Sequence, residues 1–133
     1  MRLAIGLLAL AWSVAIVPPS AMSEGMDPVL VGGDELSDAC PSLGRVIGLD
    51  PKGDGFLSVR DGPAARMRER DRLEPGASVT ICDERGPWLG VVYSPKGASV
   101  DCDVSSPRPA RAPYDGPCRS GWVHSRFIEI VAG

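Results

Sequence analysis

The hydrophobic pattern divides the chain into three unequal parts. Leu3 to Val17 is an apolar run of 15 residues with Ser13 as its one polar side chain, and Pro18-Pro19 ends it. Residues 24 to 44 are dominated by Gly, Ser and Asp, and only Asp34 to Ala39 has the make-up of a helical turn. We read this stretch as an irregular N-terminal arm. From Arg45 onward, short runs of strand-forming residues recur between turn residues. Arg45 to Leu49 precedes a loop at Asp50-Pro51-Lys52-Gly53-Asp54-Gly55, Phe56 to Arg60 closes at Asp61-Gly62-Pro63, and Glu74-Pro75-Gly76 marks a further turn.

The best-defined pair of strands is Ser78 to Cys82 with Trp88 to Tyr93. Val79 and Ile81 share one face of the first, and Leu89, Val91 and Tyr93 share one face of the second. Asp83-Glu84-Arg85-Gly86 between them has the preferred ends of a type I turn. Gly121 to His124 and Phe127 to Val131 complete the series, with Ile128 and Ile130 on one face. No segment sustains a helical period. Short strands at this spacing, separated by Gly and Pro, predict a small all-β barrel. Ser94 to Ser120 interrupts it with 27 residues that hold five prolines and two cysteines. A loop of that length is usually functional or disordered.

The ends and totals refine this picture. A charged start (Arg2), a short apolar run and small residues at Ala21 and Ser23 describe a cleavable secretory signal over residues 1–23. The run is shorter than the roughly 18–20 residues that cross a bilayer, so no membrane insertion of the mature chain is expected. The remaining 110 residues suffice for one domain and carry 13 basic against 17 acidic side chains, a net charge of minus 4. An excess of negative charge argues against a nucleic-acid partner. Cys40, Cys82, Cys102 and Cys118, an even number in a small exported chain, read as two disulfides. Three pairings are open, and loop economy favours Cys40–Cys82 with Cys102–Cys118, the latter pinning the base of the insertion. No C-x-x-C pair points to zinc, and neither metal nor cofactor is expected. Location in the periplasm is expected, with an extracellular one as the alternative.

Three stretches taken together resemble the bacterial SH3 (SH3b) family. They are Phe56-Leu57-Ser58-Val59-Arg60-Asp61-Gly62-Pro63, then Leu73-Glu74-Pro75-Gly76 leading to Val79-Thr80-Ile81, then Trp88-Leu89-Gly90-Val91 with Gly121-Trp122-Val123-His124-Ser125. The likeness covers about residues 45–131, with 94–120 as an insertion. It departs from the family at Met67, where Tyr is usual, and at Arg70, where an aliphatic residue is usual. The resemblance implies a five-stranded SH3-like barrel that serves as a binding or targeting module without catalysis, recognising a peptide, a cell-wall fragment or a partner protein.

The candidate chemistry is that of binding. His124 is the one histidine and Ser125 beside it is no dyad, since strand neighbours face opposite ways. Paired cysteines leave no thiol nucleophile. The Asp50 to Asp61 stretch has Lys52 where an EF-hand requires a carboxylate. Arg66, Arg68, Arg70 and Arg72 recur at every second residue, so an extended segment would present them as one cationic ridge to an anionic partner. Trp88, Tyr93, Tyr114 and Trp122 could supply flat surfaces for an extended peptide. Pro107 to Pro113 favours a polyproline II shape and could lie across such a groove. The alternative is a structural or assembly subunit that associates through this Pro-rich insertion.

Overall fold

The computed structural model describes residues 3–15, 26–96 and 98–133. The expected cleavage site at Ala21-Met22-Ser23, with Pro18-Pro19 and Gly97, lies outside the described residues. Residues 3–15 form no strand, and their apolar side chains, such as Leu7 and Trp12, are exposed. No helix among the described residues is long and apolar enough to cross a membrane.

The protein is all-β. Its strands are β1 (Leu30–Val31), β2 (Asp34–Asp38), β3 (Ser42–Val46), β4 (Leu57–Arg60), β5 (Glu69–Leu73), β6 (Ser78–Arg85), β7 (Trp88–Tyr93), β8 (Pro107–Arg108), β9 (Ala112–Pro113), β10 (Arg119–His124) and β11 (Ile128–Ala132). Seven of them form one antiparallel sheet in the order β11-β3-β6-β7-β10-β4-β5, and β1 pairs β9 while β2 pairs β8. The edge strands β11 and β5 do not pair, so the hydrogen bonds draw an open seven-stranded sheet and not a closed five-stranded barrel. All seven strands still contribute to one core (Val46, Leu57, Leu73, Ile81, Val91, Val123 and Ile128 among them), which requires the sheet to curl around it.

The predicted hairpin is β6–β7, but its turn is shorter than the sequence suggested. Arg85 faces Trp88, and Gly86-Pro87 alone makes the turn, with Gly86 at φ +56°. A positive φ at the first central position matches the twist of adjoining strands, which a type I turn would splay. A bulge at Cys82, between Ile81 and Asp83, lets three successive residues be buried. Val79 and Ile81 enter the inner core, as expected, while Cys82 reaches to the other face and bonds Cys40. The second bridge joins Cys102 to Cys118.

The arm is not irregular, and Asp34 to Ala39 is not a helical turn. The arm contributes β1, β2 and most of β3, the last crossing residue 45 into the main sheet. Partners explain the difference: β1 and β2 are completed by Ala112–Pro113 and Pro107–Arg108, which stand 69 to 83 positions away in the chain. Strands of two to five residues whose partners are so remote leave no local period to read. The Pro-rich piece of the insertion is therefore a strand donor to the arm. Further backbone bonds from Ala39 to Ser106, Cys40 to Val104 and Tyr114 to Val29 stitch the two together.

This stitched layer covers the outer face of β6, β7 and β10 and creates a second core. Val29, Val31, Ala39 and Val104 close over Val92 and Trp122. Gly90 allows the approach, because a Cβ there would stand 3.0 Å from Val29 Cγ1 and 2.8 Å from Asp83 Cβ. Strand β7 is accordingly buried on both faces, with Leu89, Val91 and Tyr93 inward and Val92 outward.

Candidate functional site

The four arginines are all exposed and alternate with the more buried Met67, Glu69, Asp71 and Leu73, but three of them are already engaged within the chain. Arg70 and Arg72 lie on β5, which begins at Glu69, Arg66 and Arg68 precede it, and the β4–β5 register shifts at Val59/Arg60. Arg68 Nε (3.1 Å) and Arg70 Nε (2.7 Å) both bond the Asp61 carboxylate, which is 5 % exposed. Arg70 also donates to the Ser120 carbonyl at 2.7 Å. Arg72 bonds Glu69 at 2.6 Å and lies over the Phe56 ring at 4.0 Å. Arg66 makes no ion pair among the described residues. Arg68 and Arg70 thus close the first long loop on Asp61, Arg70 ties that loop to β10, and Arg72 pairs within β5.

Asp61 makes this clamp sensitive to acid. Burial pushes its pKa up, but the hydrogen bonds and charges of Arg70 and Arg68 outweigh it and leave the carboxyl below its ordinary value. A depressed folded pKa contributes stability that is full above the unfolded value, near 3.9, and is lost as pH falls through the folded one. We expect urea midpoints to drop as pH is lowered from about 5 toward 2. Asp61→Asn should lower stability at pH 7 and flatten part of that dependence. An unchanged acid slope in the variant would remove Asp61 from the account.

Of the four aromatic residues proposed for a groove, only Trp88 lines an open apolar cleft. Trp122 is 0 % exposed in the second core, and its Nε1–H donates to the Asp27 carbonyl at 2.7 Å. Tyr114 clamps the insertion, its hydroxyl donating to the Cys102 carbonyl (2.8 Å) and accepting the Cys118 N–H (3.0 Å). Tyr93 is buried and donates to Asp71 at 3.0 Å; burial and the Asp71 charge hold its phenol well above the usual value. Tyr93 nonetheless lines a cleft beside β5.

Trp88 instead belongs to a cleft of about 330 Å³ that sequence reading did not assemble. Phe56, Trp88, His124 and Phe127 supply its rings, with Leu49 and Leu57 between them. Trp88 meets His124 edge-on with centroids 5.3 Å apart, and His124 meets Phe127 at 6.4 Å. Asp54, Ser58, Arg60 and Arg126 add polar groups. The walls come from the 49–56 loop, β4 and the loop after it (Ala65), the start of β7 (Trp88), and the end of β10 with the 3-10 turn Ser125–Phe127 that follows it. Backbone bonds hold them in place, from Ser125 N–H to the Pro87 carbonyl (2.8 Å) and from Ile47 N–H to the Phe127 carbonyl (2.9 Å).

His124 has a defined role in that geometry. Its Nδ1 accepts the Arg126 N–H at 3.2 Å and so caps the 3-10 turn. The neutral ring then carries its proton on Nε2, a donor at the cleft wall. A nitrogen committed to capping is unsuited to general-base work.

One signal for the missed residues was present in the sequence. Phe56 directly precedes Leu57, a core residue, and alternation puts it on the other side of the strand. Phe127 carried none, since it sits in the 3-10 turn and packs against the inner core. A larger cleft of about 530 Å³ beside β5 is walled by Asp71, Glu74, Lys96 and Arg119. Its charges already pair within the chain, Lys96 with Glu74 at 2.7 Å and Arg119 with Asp71 at 3.1 Å. No residue of 94–120 lines the aromatic cleft, so the Pro-rich segment does not cover it.

No group of three or more His, Cys, Asp or Glu side chains able to hold a metal ion occurs among the described residues. Comparison with protein-family models, with curated proteins and with solved structures found no match.

Proposed function

We propose that this protein is a non-catalytic, exported binding module of bacterial SH3 type. It holds an extended peptide, a cell-wall fragment or a segment of a partner protein in the aromatic cleft. The observation that carries the reading is the convergence of Phe56, Trp88, His124 and Phe127 on one concave surface, with a few polar groups at its edge. Apolar clefts with a small number of placed polar groups are the usual form of a binding site.

The order of elements supports the type. β4 carries Leu57-Ser58-Val59-Arg60 and leads into Gly62-Pro63; β10 carries Gly121-Trp122-Val123, and the 3-10 turn passes the chain to a final short strand. The residues of the family's run fall on β4, the end of β5 (Leu73), β6, β7 and β10, with β11 as the final short strand and β3 added. Two closed disulfides fit an oxidising compartment, with the periplasm as the proposed location. The assembly reading is the weaker one, because the Pro-rich segment is already paired with β1 and β2 of its own chain.

The test is capture by sedimentable peptidoglycan and by native envelope extract. We expect saturable capture that falls at least about tenfold in Trp88→Ala and Phe127→Ala, measured well below the melting temperature of each variant because both side chains also touch the cores. Capture that survives both changes but is lost on deleting residues 103–117 would favour the assembly reading instead.

A further inference from the structure

The polar groups around the cleft differ in whether the chain already occupies them, and that difference bears on the ligand. The inference rests on the binding-module reading. Arg72 is held by Glu69, and the Ser58 hydroxyl also donates to Glu69. Arg60 uses one nitrogen, NH1, on the Met67 carbonyl at 3.0 Å. Its other nitrogens form no hydrogen bond among the described residues. Arg126 is exposed, stacks over Phe127 at 5.3 Å and has no carboxylate partner among the described residues. The Nε2–H of neutral His124 is likewise available. Against these donors stands one carboxylate at the cleft, Asp54, also without a partner there.

The cleft therefore presents two guanidinium groups and an imidazole donor against one lining carboxylate, with Glu69 behind it within reach of the Arg60 charge, on a protein whose formal net charge is minus 3. The positive character is local. It is placed beside three hydrocarbon rings, where a paired ion is partly desolvated and counts for more than on open surface. Arginine also meets carboxylates with two parallel hydrogen bonds, which sets orientation as well as attraction.

We propose that the ligand of the cleft is a peptide segment in which a carboxylate lies next to an apolar side chain. The carboxylate meets Arg126 and Arg60, with His124 Nε2–H as a further donor. The apolar side chain enters between Phe56, Trp88 and Phe127. Asp54 disfavours a second carboxylate beside it.

The experiment uses the mature chain with both disulfides intact and follows Trp88 emission and binding heat. The probes are an acetylated, amidated peptide with glutamates beside a leucine, its glutamine and lysine counterparts, the glutamine peptide with a free C-terminal carboxylate, and chitotriose as a neutral sugar. We expect the glutamate peptide to bind at least tenfold more tightly than the glutamine peptide, and the lysine peptide most weakly. Arg126→Gln should weaken the glutamate peptide at least fivefold and leave the glutamine peptide unchanged, whereas Asp54→Asn should strengthen the former. Recovery of affinity by the free C-terminus would assign the carboxylate to a chain end; no recovery would assign it to a side chain. Equal or tighter binding of the glutamine or lysine peptide, preference for the sugar, or indifference to Arg126→Gln overturns the proposal. Absence of all peptide binding while Trp88-dependent envelope capture persists overturns it alone. If that capture is also missing, the module reading falls with it.

Discussion

Trp122→Ala will lower the stability of the protein by about 3–5 kcal/mol, the range for deleting a large buried aromatic side chain. The ring is fully enclosed by Val29, Val31, Val92 and Val104, donates to the Asp27 carbonyl and lies 5.0 Å below the Arg85 guanidinium. The change would open a cavity in the second core and remove the hydrogen bond that holds Asp27 to the sheet. A domain of this size has a total stability of about 5–15 kcal/mol, so a large fraction is at stake. Urea titration should show a lower midpoint with a nearly constant slope, since the same surface is exposed on unfolding. Trp88→Ala, at a half-buried site, should cost clearly less. If Trp122→Ala loses under about 1 kcal/mol, the outer layer is not packed as described.

The second large effect concerns the bridges. By loop-closure entropy, Cys40–Cys82, with a sequence separation of 42, contributes about 4 kcal/mol, and Cys102–Cys118, with a separation of 16, about 3 kcal/mol. We expect the Cys40→Ala, Cys82→Ala pair to destabilise more than the Cys102→Ala, Cys118→Ala pair. Geometry adds to the first, because Cys40 lies within the second core and fastens the arm to β6. With both bridges reduced the loss is about 7 kcal/mol, enough to unfold much of the population at 37 °C. Circular dichroism and midpoints with and without thiol reductant measure this. Equal losses for the two pairs, or none on reduction, would contradict it.

Much of the inner architecture was legible because its signals are local. Val79 with Ile81, and Leu89 with Val91, keep a period of two, and together with Ile128 they all lie in the inner core. The disulfide pairing with the shorter loops is the one formed. The hairpin was placed correctly and its turn was not: Asp83 and Gly86 suit a type I turn, but strand twist selects Gly86-Pro87. The candidate site was legible in one residue, Trp88. Tyr93, Tyr114 and Trp122 were grouped with it by residue type. A ring's chemistry does not reveal which layer encloses it.

Residues 34 to 39 show where local reading ends. Nothing in Asp34-Glu35-Leu36-Ser37-Asp38 marks a strand, and it becomes one because Pro107–Arg108 lies beside it. The arginine series shows a related limit. Its spacing of two does leave all four residues exposed, but it does not disclose that Asp61, buried seven to nine positions earlier, already holds Arg68 and Arg70. Alternation, turn residues and cysteine count were thus sufficient for the all-β class, the inner face of the sheet and the cross-links. The outer layer, the burial of Trp122 and the meeting of Phe56, Trp88, His124 and Phe127 came only with the folded chain. They depend on contacts between segments far apart in sequence, and such contacts have no local periodicity to betray them.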